Sequence, residues 1–291
     1  MRNAFMDELI NAARVRDDIV LIIGDLGYSV IEPFADEFPD RFFNAGIAEQ
    51  NMMGMAAGMA SEGMQVFTYS IGNFPTLRCA EQIRNDVDYH NLPVTNVVVG
   101  GGVTYGLLGY SHHAIQDYAL MRSLPNMTIA SPGDPLEVRA CMEYILKNKK
   151  PYYLRMRKGG EKIVHSELPV DIESGIFLSQ NEKQKDAVIS TGGDLNKTIK
   201  WVDENTNGRV DIYSVPIWGA AYEKNIYRLI KRYKKVITYE DHLSSGGFGS
   251  WVNEICIKSN LDIEITNKSL SPKICGMVAK QETLHNISKL R

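Results

Sequence analysis

Short runs of β-branched and aromatic residues alternate with helical stretches along most of the 291-residue chain. This rhythm argues for parallel sheets covered by helices. Phe5, Leu9, Ile10 and Ala13 lie near helical spacing and predict a helix over 3–15, and IVLIIGD (19–25) reads as a buried strand ending on a carboxylate. Phe42-Phe43-Asn44 is a second short strand, and 47–63 a helix rich in small residues and methionine. QVFTYSI (65–71) predicts a strand, 77–90 an amphipathic helix, and PVTNVVVGGG (93–102) a strand running into glycines. A helix near 114–123, the strand 127–132, the helix 135–147 and the strand 151–157 follow.

The rhythm breaks at KGGEKIVHSELPVDIESG (158–175), which is polar, contains Gly and Pro, and reads as a connection between domains. Beyond it, strands at 186–193, 209–216 and 234–241, helices at 194–205 and near Gly249, and a last strand near 262–266 make a smaller α/β unit. The fold class expected is therefore α/β with two domains, each a mostly parallel sheet flanked by helices. The boundaries are 1–160, a linker over 161–175, and 176–291.

Composition narrows the picture without changing it. Hydrophobic residues at 44%, charged ones at 23% and a net charge of −3 suit a globular chain and offer nothing to nucleic acid or an anionic membrane. The N-terminal residues carry charges throughout and hold no signal-peptide core, so the expected compartment is the cytoplasm. Cys79, Cys141, Cys256 and Cys275 have no metal-ligand spacing and read as buried free thiols. Parallel sheets of this kind bind ligands beyond the carboxyl ends of their strands. That directs attention to Asp25, Asn44, Ser70–Asn73, Gly100–Gly102 and the loop before His112.

At NAGIAEQNMMGMAAGMA (44–60) the chain resembles the pyrimidine-binding domain of transketolase-like thiamine-diphosphate enzymes. Four further stretches agree in order and approximate spacing: FTYSIGNFPTLRCAEQIRNDV (67–87), GVTYGLLGYSHHAIQDYALMRSLPNMTIASPGDP (102–135), PYYLRMR (151–157) and YEDHLSSGGFGSWVNE (239–254). The last is similar to the signature of the family's C-terminal domain, so the resemblance assigns 1–160 to a pyrimidine-binding domain and 176–291 to a transketolase C-terminal domain.

The resemblance implies a chemistry. Thiamine diphosphate works through its thiazolium C2, where a proton must leave a weakly acidic carbon. A carboxyl against the pyrimidine N1′ favours the tautomer that lets the 4′-nitrogen take it. Glu49 falls at the place of that carboxyl. Phe74 aligns with the aromatic that stacks on the pyrimidine, with Phe67 and Tyr69 the neighbours if the register slips; Asp25 faces the same crevice. His112 corresponds to the histidine at the substrate carbonyl, with His113 one residue away. Arg2 aligns with a phosphate-clamping arginine and Arg155 or Arg157 with another, since a guanidinium fork suits phosphate or carboxylate. The family's phosphate-side histidine is replaced by glycine within 100–102, and its donor-hydroxyl aspartate falls on Leu107 or Leu108.

Gly-Asp-Gly, the family's signature for holding the diphosphate through Mg²⁺, does not occur in this sequence. The resemblance therefore implies a separate subunit carrying the diphosphate-binding domain and its metal, assembled as an α2β2 heterotetramer. The expected function is the C-terminal, β-type subunit of an enzyme that transfers a two-carbon ketol or acyl unit from a ketose or 2-oxo acid to an aldehyde or ketone sugar acceptor. Two alternatives share the plan: a 2-oxo acid dehydrogenase E1 β-type subunit, and a non-catalytic scaffold.

Overall fold

The computed structural model describes residues 1–178, 184–206 and 208–290. Six strands of the first sheet come in chain order: β1 (Ile19–Ile23), β2 (Phe42–Asn44), β3 (Gln65–Ile71), β4 (Val94–Val99), β5 (Thr128–Ala130) and β6 (Tyr152–Met156). The second sheet begins with β7 (Ile176–Phe177), β8 (Asp186–Ser190) and β9 (Asp211–Ser214). Then β10 (Ile217–Trp218) crosses to the first sheet before β11 (Lys235–Leu243) and β12 (Glu264–Leu270) return to the second. The orders are β10-β5-β6-β4-β3-β1-β2 and β12-β11-β8-β9-β7. Only β10, against β5, and β7, against β9, run antiparallel.

The helices are α1 (Arg2–Val15), α2 (Glu32–Glu37), α3 (Glu49–Ser61), α4 (Ala80–Gln82), α5 (Asp117–Met121), α6 (Pro135–Lys147), α7 (Leu195–Thr206), α8 (Glu223–Ile230), α9 (Phe248–Lys258) and α10 (Gln281–Ile287). They cover the sheets, which is why β1 and β4 are buried along their whole length and read as unbroken apolar runs. Phe5 of α1 packs against Phe67 and Tyr69 of β3, with ring centroids 6.2 and 6.0 Å away. Burying such a ring stabilises the fold by roughly 1.5–3 kcal/mol. Among the described residues no helix is long and apolar enough to cross a membrane.

Helix α6 starts where the sequence tells it to. Asp134 caps it by accepting from the Glu137 amide at 2.8 Å, and Pro135 follows at the first helical position. The same Asp134 carboxylate accepts from the Val164 and His165 amides at 2.7 and 3.1 Å, and His165 meets Glu137 at 2.7 Å. The 161–175 segment is thereby fastened onto the first sheet's helical layer, and its Ile172 is buried.

Several elements differ from the sequence reading. The helix expected over 77–90 is only Ala80–Gln82 before it widens into a π-helical stretch at Ile83–Asp88. The one near 114–123 shrinks to α5, because residues 106–108 and 110–112 form 3-10 turns ahead of it. Strand β10 and helix α10 have no counterpart among the expected elements. β10 has just two residues, too few for any periodicity, yet it hands the first sheet a strand from the chain's second half, Ile217 facing Ala130 and Trp218 facing Ile129.

Candidate functional site

The loops after the carboxyl ends of β1 to β4 and β6 carry the polar groups of the candidate site. Glu49 is the first residue of α3, just after the β2 loop, where the helix N-terminus favours a carboxylate. It is almost wholly buried, 1% exposed, beside Gly24 and Ser70: a Cβ at position 24 would lie 3.4 Å from both Glu49 Cγ and Ser70 Oγ. The Ser70 hydroxyl is itself buried with no hydrogen-bond partner among the described residues.

Arg78 donates to Glu49 Oε2 at 2.6 Å, and its guanidinium carbon lies 5.0 Å over the centroid of the Phe74 ring. The Phe74 ring in turn meets the His112 imidazole edge-on, centroids 5.2 Å apart. Glu49, Arg78, Phe74 and His112 thus form one contiguous line. Asn73 holds the histidine loop against it by donating to the carbonyls of Tyr110, Ser111 and His113 at 3.4, 3.2 and 2.8 Å. Burial and then the nearby His113 lower the His112 pKa below its usual 6.5, which leaves the ring neutral at pH 7. Its Nδ1 meets the Ser111 hydroxyl at 3.0 Å.

Other expected residues fall elsewhere. His113 points the opposite way from His112: it is fully buried, its Nε2 3.3 Å from the Gly106 carbonyl. Asp25 sits in the left-handed region at φ +53 and accepts from Asn44 Nδ2 at 3.0 Å and the Tyr28 hydroxyl at 3.1 Å. Those bonds lower its pKa and hold it as a carboxylate at the crevice rim. Arg2 opens α1 and approaches Gly159, its Nη2 3.8 Å from where a Cβ would stand.

Two of the expected residues are engaged in packing. Phe67 is fully buried and packs on Phe5, on the sheet face that α1 covers. Arg155 is buried as well. Its Nε donates to Asp117 at 2.7 Å, Nη1 to the Tyr118 hydroxyl at 3.1 Å, and Nη2 to the carbonyls of Ala114 and Asp241 at 2.7 and 2.9 Å. All three nitrogens are spent on holding the loop and the second sheet together. Arg157, two residues on and past the end of β6, lines a cavity of about 290 Å³ with Thr104, Lys158, Lys162, Lys197 and Gln281.

Behind that cavity Asp194, Asp241 and His285 bring their ligating atoms within 4.8 Å of one another. Two cations already serve this cluster: Arg157 lies 2.6 Å from Asp194 and 3.5 Å from Asp241, and Lys197 3.3 Å from Asp194. It is an interdomain ion network. Against the cost of burial, His285 and Arg157 hold Asp241 below the usual carboxylate range.

Sequence reasoning missed Arg78 and Tyr105, whereas Asn73 lies in the Ser70–Asn73 stretch it marked. Arg78 pairs with a residue 29 positions away, and only the fold brings the two together. The Tyr105 ring sits over Gly100, so the glycine replacing the family histidine was the one available signal, and it pointed to a loss rather than to a substitution in space.

Comparison with known proteins bears on the family and the fold. Residues 1–160 match the family described as the transketolase pyrimidine binding domain. A protein of Methanocaldococcus jannaschii named for a transketolase C-terminal section is 34% identical over 267 residues, 90% of this chain and 83% of that one. An apulose-4-phosphate transketolase subunit of Actinobacillus succinogenes is 29% identical over 276 residues, 93% of this chain and 88% of that one. A solved structure titled a split gene transketolase, an inactive β4 tetramer, superposes with a TM-score of 0.83 at 28% identity, covering 99% of this chain and 93% of that one. With its α/β fold of two mostly parallel sheets, this chain belongs to the transketolase family.

Proposed function

We propose that the chain is the C-terminal subunit of a split, thiamine-diphosphate-dependent transketolase-like enzyme of the cytoplasm. It transfers a two-carbon ketol or acyl unit from a ketose or 2-oxo acid to an aldehyde or ketone sugar acceptor. One observation carries the reading. The buried Glu49 carboxylate and the face of Phe74 together hold a planar cation, the Arg78 guanidinium, by an edge hydrogen bond and a face contact. An aminopyrimidine asks for the same two contacts, so the residues present fit the pyrimidine end of the cofactor.

When bound, thiamine diphosphate supplies a nucleophilic carbon at thiazolium C2. Glu49 would then hold a proton at the pyrimidine N1′. Phe74 would fix the plane of the ring. His112, kept neutral by burial, donates to the oxygen of the substrate carbonyl and takes the proton back. Leu107 and Leu108, 64% and 55% exposed at the end of the histidine loop, offer no acceptor to a sugar hydroxyl. That supports a donor without a hydroxyl at this place. The diphosphate and Mg²⁺ fall to a separate subunit, since no Gly-Asp-Gly occurs in the sequence. The names of two relatives, one a subunit and one a split-gene product, support such a partner, and the assembly proposed with it is α2β2.

The test is a thiamine-diphosphate titration of the chain co-expressed with a diphosphate-domain partner, with Glu49 intact and as Gln. Binding that needs both chains, with turnover lost by about 10²-fold or more in the variant, is the expected result. Turnover that demands a lipoyl-bearing protein would transfer the reading to a 2-oxo acid dehydrogenase. Full activity in Glu49→Gln would leave a scaffold.

A further inference from the structure

Positions 197, 200, 201 and 204 are three and four apart and so share one face of α7. This face and α10 enclose a cavity of about 550 Å³. Trp201 and Leu290 give it apolar walls, and Lys200 and Glu204 pair with each other at 3.6 Å along its rim. Lys197 and His285 also line it, and they belong to an array that the chemistry above leaves unused.

Lys197 Nζ donates to His285 Nδ1 at 2.6 Å, and His285 Nε2 donates to Asp241 Oδ1 at 2.9 Å. Lysine is the donor of its pair, which assigns Nδ1 as the acceptor and the ring proton to Nε2. His285 and Asp241 are buried, whereas 36% of the Lys197 side chain is exposed. Asp194 competes for the amine at 3.3 Å, but Arg157 takes the same Asp194 oxygen at 2.6 Å. The shortest contact of the amine is therefore with a base, and its place in the first turn of α7 gains nothing from the helix dipole. A nucleophile within hydrogen-bond reach of a base, with the base oriented by a third group, is the arrangement that activates side chains for covalent chemistry.

We propose that Lys197 is a nucleophile that forms an imine with an aldehyde of apolar or aromatic body, held in the cavity between α7 and α10. His285 is its base and Asp241 the positioning residue that orients the imidazole. The amine nitrogen bonds to the carbonyl carbon, and the carbonyl π pair moves onto oxygen. Both amine protons then pass, by way of His285, to that oxygen. The C–O bond breaks as the C=N bond closes, the oxygen leaves as water, and nothing is oxidised or reduced. Trp201 and Leu290 take the aldehyde's apolar body, whose burial is favourable by roughly 25 cal/mol per Å². Lys197 acts here independently of Glu49 and His112.

The experiment incubates the full chain with benzaldehyde and cyanoborohydride, which reduces an imine to a stable secondary amine. Peptide mapping by mass spectrometry then reads the labelling of each lysine. Lys200 is the internal reference, on the same helix face and 75% exposed against 36% for Lys197. Despite that, Lys197 should be labelled at least about tenfold faster, the low end of what a positioned base contributes. His285→Gln and Asp241→Asn, checked for folding by thermal melts, should each bring Lys197 down to the Lys200 rate and leave Lys200 unmoved. Glyceraldehyde, which has no apolar body, should label Lys197 more slowly than benzaldehyde does. Wild-type Lys197 labelled no faster than Lys200 overturns the proposal, and that comparison needs no variant to fold. A folded His285→Gln chain labelled like wild type overturns it too, and glyceraldehyde labelling Lys197 as fast as benzaldehyde overturns the assignment of an apolar body.

Discussion

Replacing Arg78 with methionine tests whether Glu49 is the reactive carboxylate of the crevice. Glu49 is 1% exposed, and Arg78 is the one side chain that donates to it among the described residues, at 2.6 Å. A charge-assisted bond is worth about 1.5–3 kcal/mol, and breaking a fully buried pair costs about 3–5 kcal/mol. Arg78 itself is 48% exposed, so water screens the pair and the value belongs at the lower end, about 1.5–3 kcal/mol. Urea denaturation of the full chain reads it. In a Glu49→Gln background the same replacement should cost about 1–2 kcal/mol less, which a double-mutant cycle isolates.

The second half of the test has the opposite sign. Arg78 competes with an aminopyrimidine for both Glu49 and Phe74, so removing it should tighten thiamine-diphosphate binding to the assembled enzyme about 5- to 30-fold, the equivalent of that coupling. Weaker binding in Arg78→Met would refute the competition and make Arg78 a partner of the bound ring. Additive effects in the cycle would refute the pairing itself.

Other outcomes follow from the same packing. Arg155→Met strips Asp117 of its buried ion pair and should cost about 3–5 kcal/mol in unfolding free energy, with Arg155→Lys rescuing little because one ammonium cannot serve four acceptors. Gly102→Ala puts a Cβ into the Asp241 carboxylate at φ +66, so a large loss of stability is expected. Gly46→Ala, at φ +72 with nothing within 4 Å, should cost only the backbone strain of about 1–2 kcal/mol; thermal melts separate the two. His242 is buried between Asp117, Glu240 and Arg155, and burial lowers its pKa from 6.5 to about 4. The unfolded chain takes the proton first, so stability is present above pH 6.5 and lost as pH falls towards 4, by at most about 3 kcal/mol. Urea midpoints from pH 7 to 4.5 should fall more steeply in wild type than in His242→Gln.

What the sequence made legible follows from what each signal measures. The apolar runs of β1 and β4 are local signals, and the strands appear where expected. The choice among Phe67, Tyr69 and Phe74 was not legible, because six of the seven residues of β3 are buried and a strand covered on both faces shows no alternation. Phe74 lies past the strand end, where a side chain is released from the pleat. Arg155 and Arg157 differ for the same reason: both look like cations on one strand, but 155 lies inside β6 and 157 beyond it. Glu49 could be singled out only through the resemblance of 44–60 to the family, since alone it reads as an ordinary first-turn carboxylate favoured by the helix dipole. Its partner could not, because nothing local marks Arg78.

The second sheet contributes no side chain to the line from Glu49 to His112, and yet it sets that line's last member. The loop that carries His112 runs from Gly100 to Ala114 and rests on the chain's second half at each of its turns. Gly102 abuts the Asp241 carboxylate, Gly106 accepts from the Ala279 amide at 3.3 Å, and Gly109 faces Val278. Arg155 ties the loop's end to β11 through the carbonyls of Ala114 and Asp241. Five glycines in one loop leave it little rigidity of its own, since glycine loses the most backbone freedom on ordering. The order has to come from the surface beneath, and that surface is β11 with the segment leading into α10. A histidine whose placement depends on packing from a second unit explains why the two halves are stitched by β10 and by the Asp194–Arg157–Asp241 network instead of merely touching. Loosening that network, for example with Asp194→Asn, should therefore shift His112 more than it shifts Glu49. The imidazole's titration followed by NMR should move while the Glu49–Arg78 coupling stays as it was, and an unmoved imidazole would mean that the loop holds its own shape.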